Sequence, residues 1–169
     1  MVSLVLSPYS RPLRSLGPNP KNFPHWEEVV DTLLSRFNLV VKQEVYLYKG
    51  QPSSDRVHSK VQVLPFTSVH QLVSPILEST CWASVDNFLP HLCNLIKADP
   101  GVVVFSKSDP SIFGYHYNKN LHSLAPRFRP DQFNLWEQCQ YDDAAFPLVQ
   151  SVVDAITDII QARRNRLST

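Results

Sequence analysis

The chain has 169 residues and a mass of 19.3 kDa, which fits one domain, since a single hydrophobic core usually serves about 100 to 200 residues. Hydrophobic residues make up 43% of the chain and charged residues 18%, so it is able to bury a core and is not disordered as a whole. Sixteen basic and fifteen acidic side chains leave a net charge of +1, so no overall field attracts nucleic acid or an anionic membrane.

Several further classes of protein are excluded by what the sequence lacks. No segment approaches the ~20 apolar residues that span a bilayer, and residues 1–10 lack the charged start of a secretion signal, so we expect no membrane contact and a cytoplasmic location. The three cysteines show no CxxC spacing, which argues against a disulfide framework and a zinc site. Neither GxGxxG nor GxxxxGK[ST] occurs, and we expect no metal and no resident cofactor.

The first third of the chain predicts a strand, a long loop, a helix and a second strand. Residues 2–6 are a β-branched run typical of a buried strand, and residues 7–24 contain five prolines and no apolar periodicity. Apolar residues then recur at three- and four-residue spacings from a helix start near His25. Residues 39–48 predict one long or broken strand, and residues 50–54 predict a turn.

The rest of the chain alternates between strand and helix patterns. Three more strands are predicted, at residues 61–64, Cys81–Val85 and 101–105. Helices are predicted at residues 69–77 with an interruption at Pro75, from about Pro90, and over residues 146–166. This alternation predicts an α/β fold, a Rossmann-like parallel sheet with helices on both faces. We expect residues 1–146 to form that domain and residues 147–169 to be a C-terminal helix packed on it.

Three polar segments follow directly after predicted strands, at residues 7–21, 86–91 and 106–114. Ligands of parallel sheets bind outside the carboxyl ends of the strands, so we expect these segments to share one rim. In the first, Ser10, Arg11, Arg14 and Lys21 offer the hydroxyl and cationic donors that phosphates favour. A solvated basic loop explains the same residues equally well.

The second and third segments each have two interpretations. Asp86, Asn87 and His91 place a carboxylate, an amide and an imidazole where a sugar or ribose diol is able to bind, but a helix cap and a surface imidazole explain them as well. Ser108 and Asp109 follow the most apolar strand, where they form either part of a binding site or, more simply, a solvated turn.

Taken together, these segments resemble a known family. The blocks SPYSR at 7–11, KNFPHW at 21–26, SVDNFLPH at 84–91 and FSKSDP at 105–110 are similar in order to the C-terminal, nucleotide-sugar-binding half of family nine glycosyltransferases, the heptosyltransferase-like group. The most specific blocks are SVDNFLPH, similar to the family's SVDTGxxH, and FSKSDP, similar to its FGxTDP. The resemblance covers residues 2–146 and implies one half of the two-domain GT-B architecture.

The resemblance also implies roles for particular residues. Ser10 and Lys21 match residues that hold the donor's diphosphate, and Asp86, Asn87 and His91 match residues that line the nucleotide-sugar pocket. Two departures concern the donor: Phe88 stands where the family has glycine, and Gly50-Gln51 only partly matches its ribose-contacting Gly-Glu. The family's acceptor-binding domain, which carries the catalytic carboxylate, has no counterpart in this sequence.

Two functions fit these observations. The first is a glycosyltransferase-like domain that binds a nucleotide-sugar donor as its substrate, with a partner protein subunit or a homo-oligomer that supplies the acceptor side. The second is a non-catalytic nucleotide-binding or assembly module derived from such a half. The aromatic segment 128–141, with Phe133, Trp136 and Tyr141, is either a contact surface or ordinary core.

Overall fold

A computed structural model describes residues 1–14, 19–128 and 139–167 of the chain. Its centre is a mostly parallel, seven-stranded sheet. The strands are β1 (Val2–Ser7), β2 (Leu39–Tyr48), β3 (Gln51–Pro52), β4 (Gln62–Phe66), β5 (Cys81–Val85), β6 (Val102–Val104) and β7 (Lys119–Leu121). Their β-branched, apolar sequences suit a sheet that is covered on both faces.

The strand order decides where a ligand is able to bind. Six strands pair in parallel in the order β4-β2-β1-β5-β6-β7, and β3 pairs antiparallel with the end of β2. The chain therefore builds one half of the sheet outward from β1 and then returns to build the other half outward from β5. This arrangement confirms the α/β Rossmann-like fold expected from the sequence.

Helices cover both faces of the sheet. They are α1 (Trp26–Arg36), α2 (Val73–Glu78), α3 (Phe88–Leu95), α4 (Pro110–Phe113) and α5 (Val149–Leu167), and a 3₁₀ turn (Val69–Leu72) precedes α2. On one face, Trp26 and Leu33 of α1 and Ile156 of α5 pack with Leu4 and Leu6 in a single core. On the other face, a second core joins β1 and β5 to the residues of α2 and α3.

The sequence left open whether residues 39–48 form one long or a broken strand, and β2 is one unbroken strand, because it is paired with β1 on one side and β4 on the other. Other features differ from the sequence-based expectation. Residues 50–54 contain the short strand β3 as well as the turn. Helix α3 begins at Phe88, two residues before Pro90, because Asn87 caps it. β7 was not expected, since its Lys-Asn-Leu sequence carries no strand signal of its own.

Two further findings concern the cysteines and the possibility of a membrane-spanning helix. Cys81 and Cys93 are buried, and burial raises the pKa of each thiol to about 12, so both stay protonated. Within the described ranges, no helix is both long enough and apolar enough to cross a membrane.

Candidate functional site

A cleft of about 850 Å³ opens at the carboxyl ends of the central strands. It lies where the strand order reverses between β1 and β5, the usual ligand position in open α/β sheets. Its walls come from the loop after β1, the carboxyl-terminal halves of β2 and β4, the segment after β3, and the junction between β5 and α3. The volume is within the range of pockets that hold nucleotide-sized ligands.

The loop after β1 is held in place by asparagine side chains. The Asn19 amide donates to the Arg11 carbonyl at 2.9 Å, and its side-chain oxygen accepts from the Lys21 backbone N–H at 3.0 Å. The Asn22 side chain accepts from the Ser10 backbone N–H at 2.8 Å. These bonds tie the two ends of the described loop together, so that Ser10, Arg11 and Lys21 all line the cleft.

Asp86 is the point where the three predicted polar segments meet. Lys21 lies 2.9 Å from the Asp86 carboxylate, and the Ser108 hydroxyl donates to the same oxygen at 2.9 Å. The Ser10 hydroxyl donates to the Asp86 carbonyl at 3.1 Å. Asp86 therefore positions the Lys21 ammonium, whose side chain is 18% exposed, in the wall of the cleft.

Asn87 links the start of α3 to the floor of the cleft. Its side-chain oxygen accepts from the Leu89 backbone N–H at 2.9 Å, which is an N-cap bond, while its amide nitrogen donates to the Ser7 hydroxyl at 2.8 Å and to the Tyr9 carbonyl at 3.0 Å. Ser7 in turn donates to a carboxylate oxygen of Glu44 at 2.6 Å. The ends of β5, β1 and β2 are thus joined by one hydrogen-bonded chain.

Glu44 is the most perturbed carboxyl group of the cleft. It is 6% exposed, and this burial raises its pKa from 4.5 to about 7, although the hydrogen bond from Ser7 acts in the opposite direction. Near neutral pH the group is therefore divided between its acid and its carboxylate forms. A carboxyl group in this state is able either to donate or to accept a hydrogen bond from a ligand.

The part of the cleft beside Glu44 is aromatic. The rings of Tyr46 and Phe66 are 5.4 Å apart, and those of Phe66 and Phe88 are 5.8 Å apart. Across the cleft, burial and then the negative charge of Asp55 raise the pKa of the Tyr9 phenol. The lining of the cleft thus includes both the cation of Lys21 and the aromatic side chains of Tyr46, Phe66 and Phe88.

Five of the eight residues expected at the site line the cleft, namely Ser10, Arg11, Lys21, Asp86 and Asn87. The other three lie outside its lining. The Ser108 hydroxyl donates to the Asp86 carboxylate. The Asp109 carboxylate caps α4 by accepting from the Ser111 backbone N–H at 2.8 Å. The His91 imidazole forms a hydrogen bond with the Tyr115 hydroxyl at 2.9 Å. The contact of His91 matches the surface-imidazole alternative that the sequence left open, and the helix-cap alternative for Asp86 or Asn87 is met by Asn87, which caps α3.

Several lining residues were not expected from the sequence. Glu44 carried one signal, a carboxylate within a strand that is apolar at both ends, and Tyr46, Phe66 and Asp55 carried none that distinguishes them from ordinary strand and turn residues. Within the aromatic segment 128–141, residues 129–138 lie outside the described residues, so the expectations for Phe133 and Trp136 stay predictions.

Comparison with known proteins identifies a fold. No family model matches the sequence, and no curated protein matches it. Among solved structures, the dodecameric iron-containing heptosyltransferase TibC, in complex with ADP-D-beta-D-heptose, matches with a TM-score of 0.54 and 12% identity. The chain has a glycosyltransferase-like fold. The match covers 99% of this chain and 45% of the heptosyltransferase chain, so the present chain spans less than half the length of that enzyme.

Proposed function

We propose that the chain binds a nucleotide-sugar donor through its diphosphate, in the cleft between the carboxyl ends of β1 and β5, and contributes this donor site to a glycosyltransferase. In this proposal the chain corresponds to the C-terminal half of a family nine-like GT-B enzyme. The acceptor side and the catalytic base come from a partner protein subunit or from another copy of the chain.

The observation that carries the proposal is the position of Lys21. The ammonium lies in the wall of a nucleotide-sized cleft, at the reversal point of a Rossmann-like sheet, and Asp86 fixes its direction at 2.9 Å. Arg11 also lines the cleft, as does Phe88, where α3 begins with the partial positive charge of a helix N-terminus. Cations at this place stabilise a bound diphosphate and the charge that develops when it leaves.

Two further observations favour a nucleotide-sugar over a simple phosphate. The cleft that holds Lys21 is also lined by the aromatic side chains Tyr46, Phe66 and Phe88, which offer surfaces for a base. The structural neighbour was solved with ADP-D-beta-D-heptose, a ligand of this chemical class. The neighbour is also dodecameric, which makes self-association a reasonable source of the acceptor side.

The test is calorimetric titration with nucleoside diphosphates and their sugars, ADP-heptose included. Lys21→Ala should weaken diphosphate binding by roughly 1.5 to 3 kcal/mol, the contribution of a charged hydrogen bond. Lys60→Ala is the matched control, because Lys60 is exposed and lies before the amino end of β4, away from the cleft. Circular dichroism of both variants checks that they fold.

The outcomes separate the two functions. If no nucleoside diphosphate binds at millimolar concentration, or if the Lys21 and Lys60 variants bind equally well, the proposed site is wrong. Sugar transfer that requires a second protein supports a divided glycosyltransferase. Tight binding without transfer in any combination supports the non-catalytic nucleotide-binding or assembly module instead.

A further inference from the structure

Glu44 has a position that the diphosphate site does not explain. Its carboxyl group lines the cleft, on the sheet face that carries Ser7, Tyr46 and Phe66, and it is not part of the Lys21–Asp86 ion pair. Within the described ranges, its one hydrogen-bond partner is Ser7, and no cation lies within ion-pairing distance of it. Burial without a neighbouring cation disfavours the charged form of the carboxyl group, which is why the pKa of Glu44 is raised, and a hydrogen-bond donor on a ligand would favour that charged form.

The hydrogen bonds around Ser7 fix what Glu44 offers to a ligand. The Asn87 amide nitrogen is a donor only, so the Ser7 oxygen accepts from it, and the Ser7 hydroxyl proton is directed to Oε1 of Glu44. Oε1 is therefore already an acceptor. The second oxygen, Oε2, has no hydrogen bond in the described part of the chain, and it is the atom that is able to meet a ligand.

We propose that Glu44 selects the base of the bound nucleotide by accepting a hydrogen bond from an exocyclic amino group. This inference rests on the proposed nucleotide site. Tyr46 and Phe66 line the cleft together with Glu44, with their rings tilted to each other by 58°, so a base that packs against one of these rings lies close to the carboxyl group. An amino group donates to a carboxylate, whereas a keto oxygen at the same place of the base faces it lone pair to lone pair.

Two pairs of nucleotides isolate this single group. ADP and IDP differ at purine position six, where one has an amino group and the other a keto oxygen, and CDP and UDP differ in the same way at pyrimidine position four. At pH 8 we expect the protein to bind ADP about tenfold or more tightly than IDP, and CDP tighter than UDP by a similar factor. Isothermal titration of the wild-type chain measures both ratios.

The variant Glu44→Gln tests the assignment to this side chain. A glutamine amide is able to accept from an amino group or donate to a keto oxygen, so each ratio should fall towards one. Glu78→Gln is the matched control, since it makes the same change at an exposed position outside the cleft. Glu78→Gln should leave both ratios unchanged.

The ratios should also depend on pH. Because the pKa of Glu44 is raised to about 7, the group is largely protonated at pH 6 and is then able to donate to a keto oxygen, so the ratios narrow. The other charged or titratable groups that face the cleft are Arg11 and Lys21 from the loop after β1, Asp55 after β3, Asp86 after β5, and the phenols of Tyr9 and Tyr46. Repeating the pH series on Glu44→Gln separates their effect from that of Glu44.

Each outcome has a defined meaning. Equal binding of ADP and IDP, and of CDP and UDP, by a wild-type protein that binds nucleotides overturns the inference and leaves the proposed function intact. Ratios that persist in Glu44→Gln, or that fall equally in Glu78→Gln, overturn it too. If the wild type binds ADP more tightly than 2′-deoxy-ADP, Glu44→Gln binds the two equally, and neither protein shows a base preference, then Glu44 contacts the ribose and the inference is wrong. Failure of every nucleotide to bind overturns both proposals.

Discussion

At the scale of single residues, Glu44 makes the stability of the protein depend on pH. Its pKa is about 7 in the folded chain and 4.5 in the reference state, so between these values the folded protein holds a proton that the unfolded chain releases. Stability is therefore lost as the pH rises from 4.5 to 7. The loss amounts to at most about 3 kcal/mol, since each pKa unit corresponds to about 1.4 kcal/mol.

The variant Glu44→Gln should remove this dependence while keeping an acceptor for the Ser7 hydroxyl. Urea unfolding measures the free energy of unfolding of both proteins at pH 5 and pH 8. The variant's value minus the wild-type value should be larger at pH 8 than at pH 5. Glu78→Gln, which makes the same change at an exposed position, serves as control. A difference between Glu44→Gln and the wild type that is the same at both pH values contradicts the burial argument.

At the scale of elements, Gly101 sets how closely β6 approaches the indole of Trp82 on β5. A Cβ atom built on Gly101 would overlap the six-membered ring of Trp82, whose Nε1 donates to the Asp99 carbonyl at 2.8 Å. We expect Gly101→Ala to lower the free energy of unfolding by roughly 1 to 3 kcal/mol, the usual cost of overpacking. Denaturant unfolding monitored by circular dichroism measures it.

A double-mutant cycle shows whether Trp82 is the cause. Gly101→Ala should cost less in a Trp82→Phe background, because the smaller ring leaves room for the methyl group. Gly50→Ala is the comparison: a Cβ at Gly50 meets nothing within 4 Å, and its cost comes from a backbone φ of +78°. Equal costs of Gly101→Ala in both backgrounds would exclude the clash with Trp82.

The elements also show what the sequence was able to predict. Strands such as Cys81–Val85 have strong local patterns and were expected at the right places, whereas β7 exists because β6 offers it a partner.

The site residues also divide into those that the sequence could place and those that it could not. That Lys21 and Asp86 converge follows from parallel strands ending at one edge. That His91 and Asp109 turn to local partners depends on the direction of a helix face and a loop, which tertiary packing decides.

At the scale of the whole molecule, the cleft joins segments that are distant in the chain. Ser7 ends β1, Lys21 lies in the loop after it, Glu44 lies within β2 and Asp86 follows β5, and their contacts form only when these strands are paired. A ligand of this cleft therefore binds the folded chain and not the unfolded one. It must stabilise the fold by mass action, in proportion to the logarithm of its concentration over Kd.

Thermal unfolding turns this coupling into a measurement. A nucleoside diphosphate at a hundred times its Kd stabilises the fold by about 2.7 kcal/mol, which for a domain of this size raises Tm by roughly 5 to 10 °C. At the same ligand concentration, Lys21→Ala should lose half of this rise or more, because its Kd is at least about tenfold higher. Lys60→Ala should keep the whole rise, since its side chain lies outside the cleft. An equal rise in wild type and Lys21→Ala would place the bound nucleotide somewhere other than the end of β1.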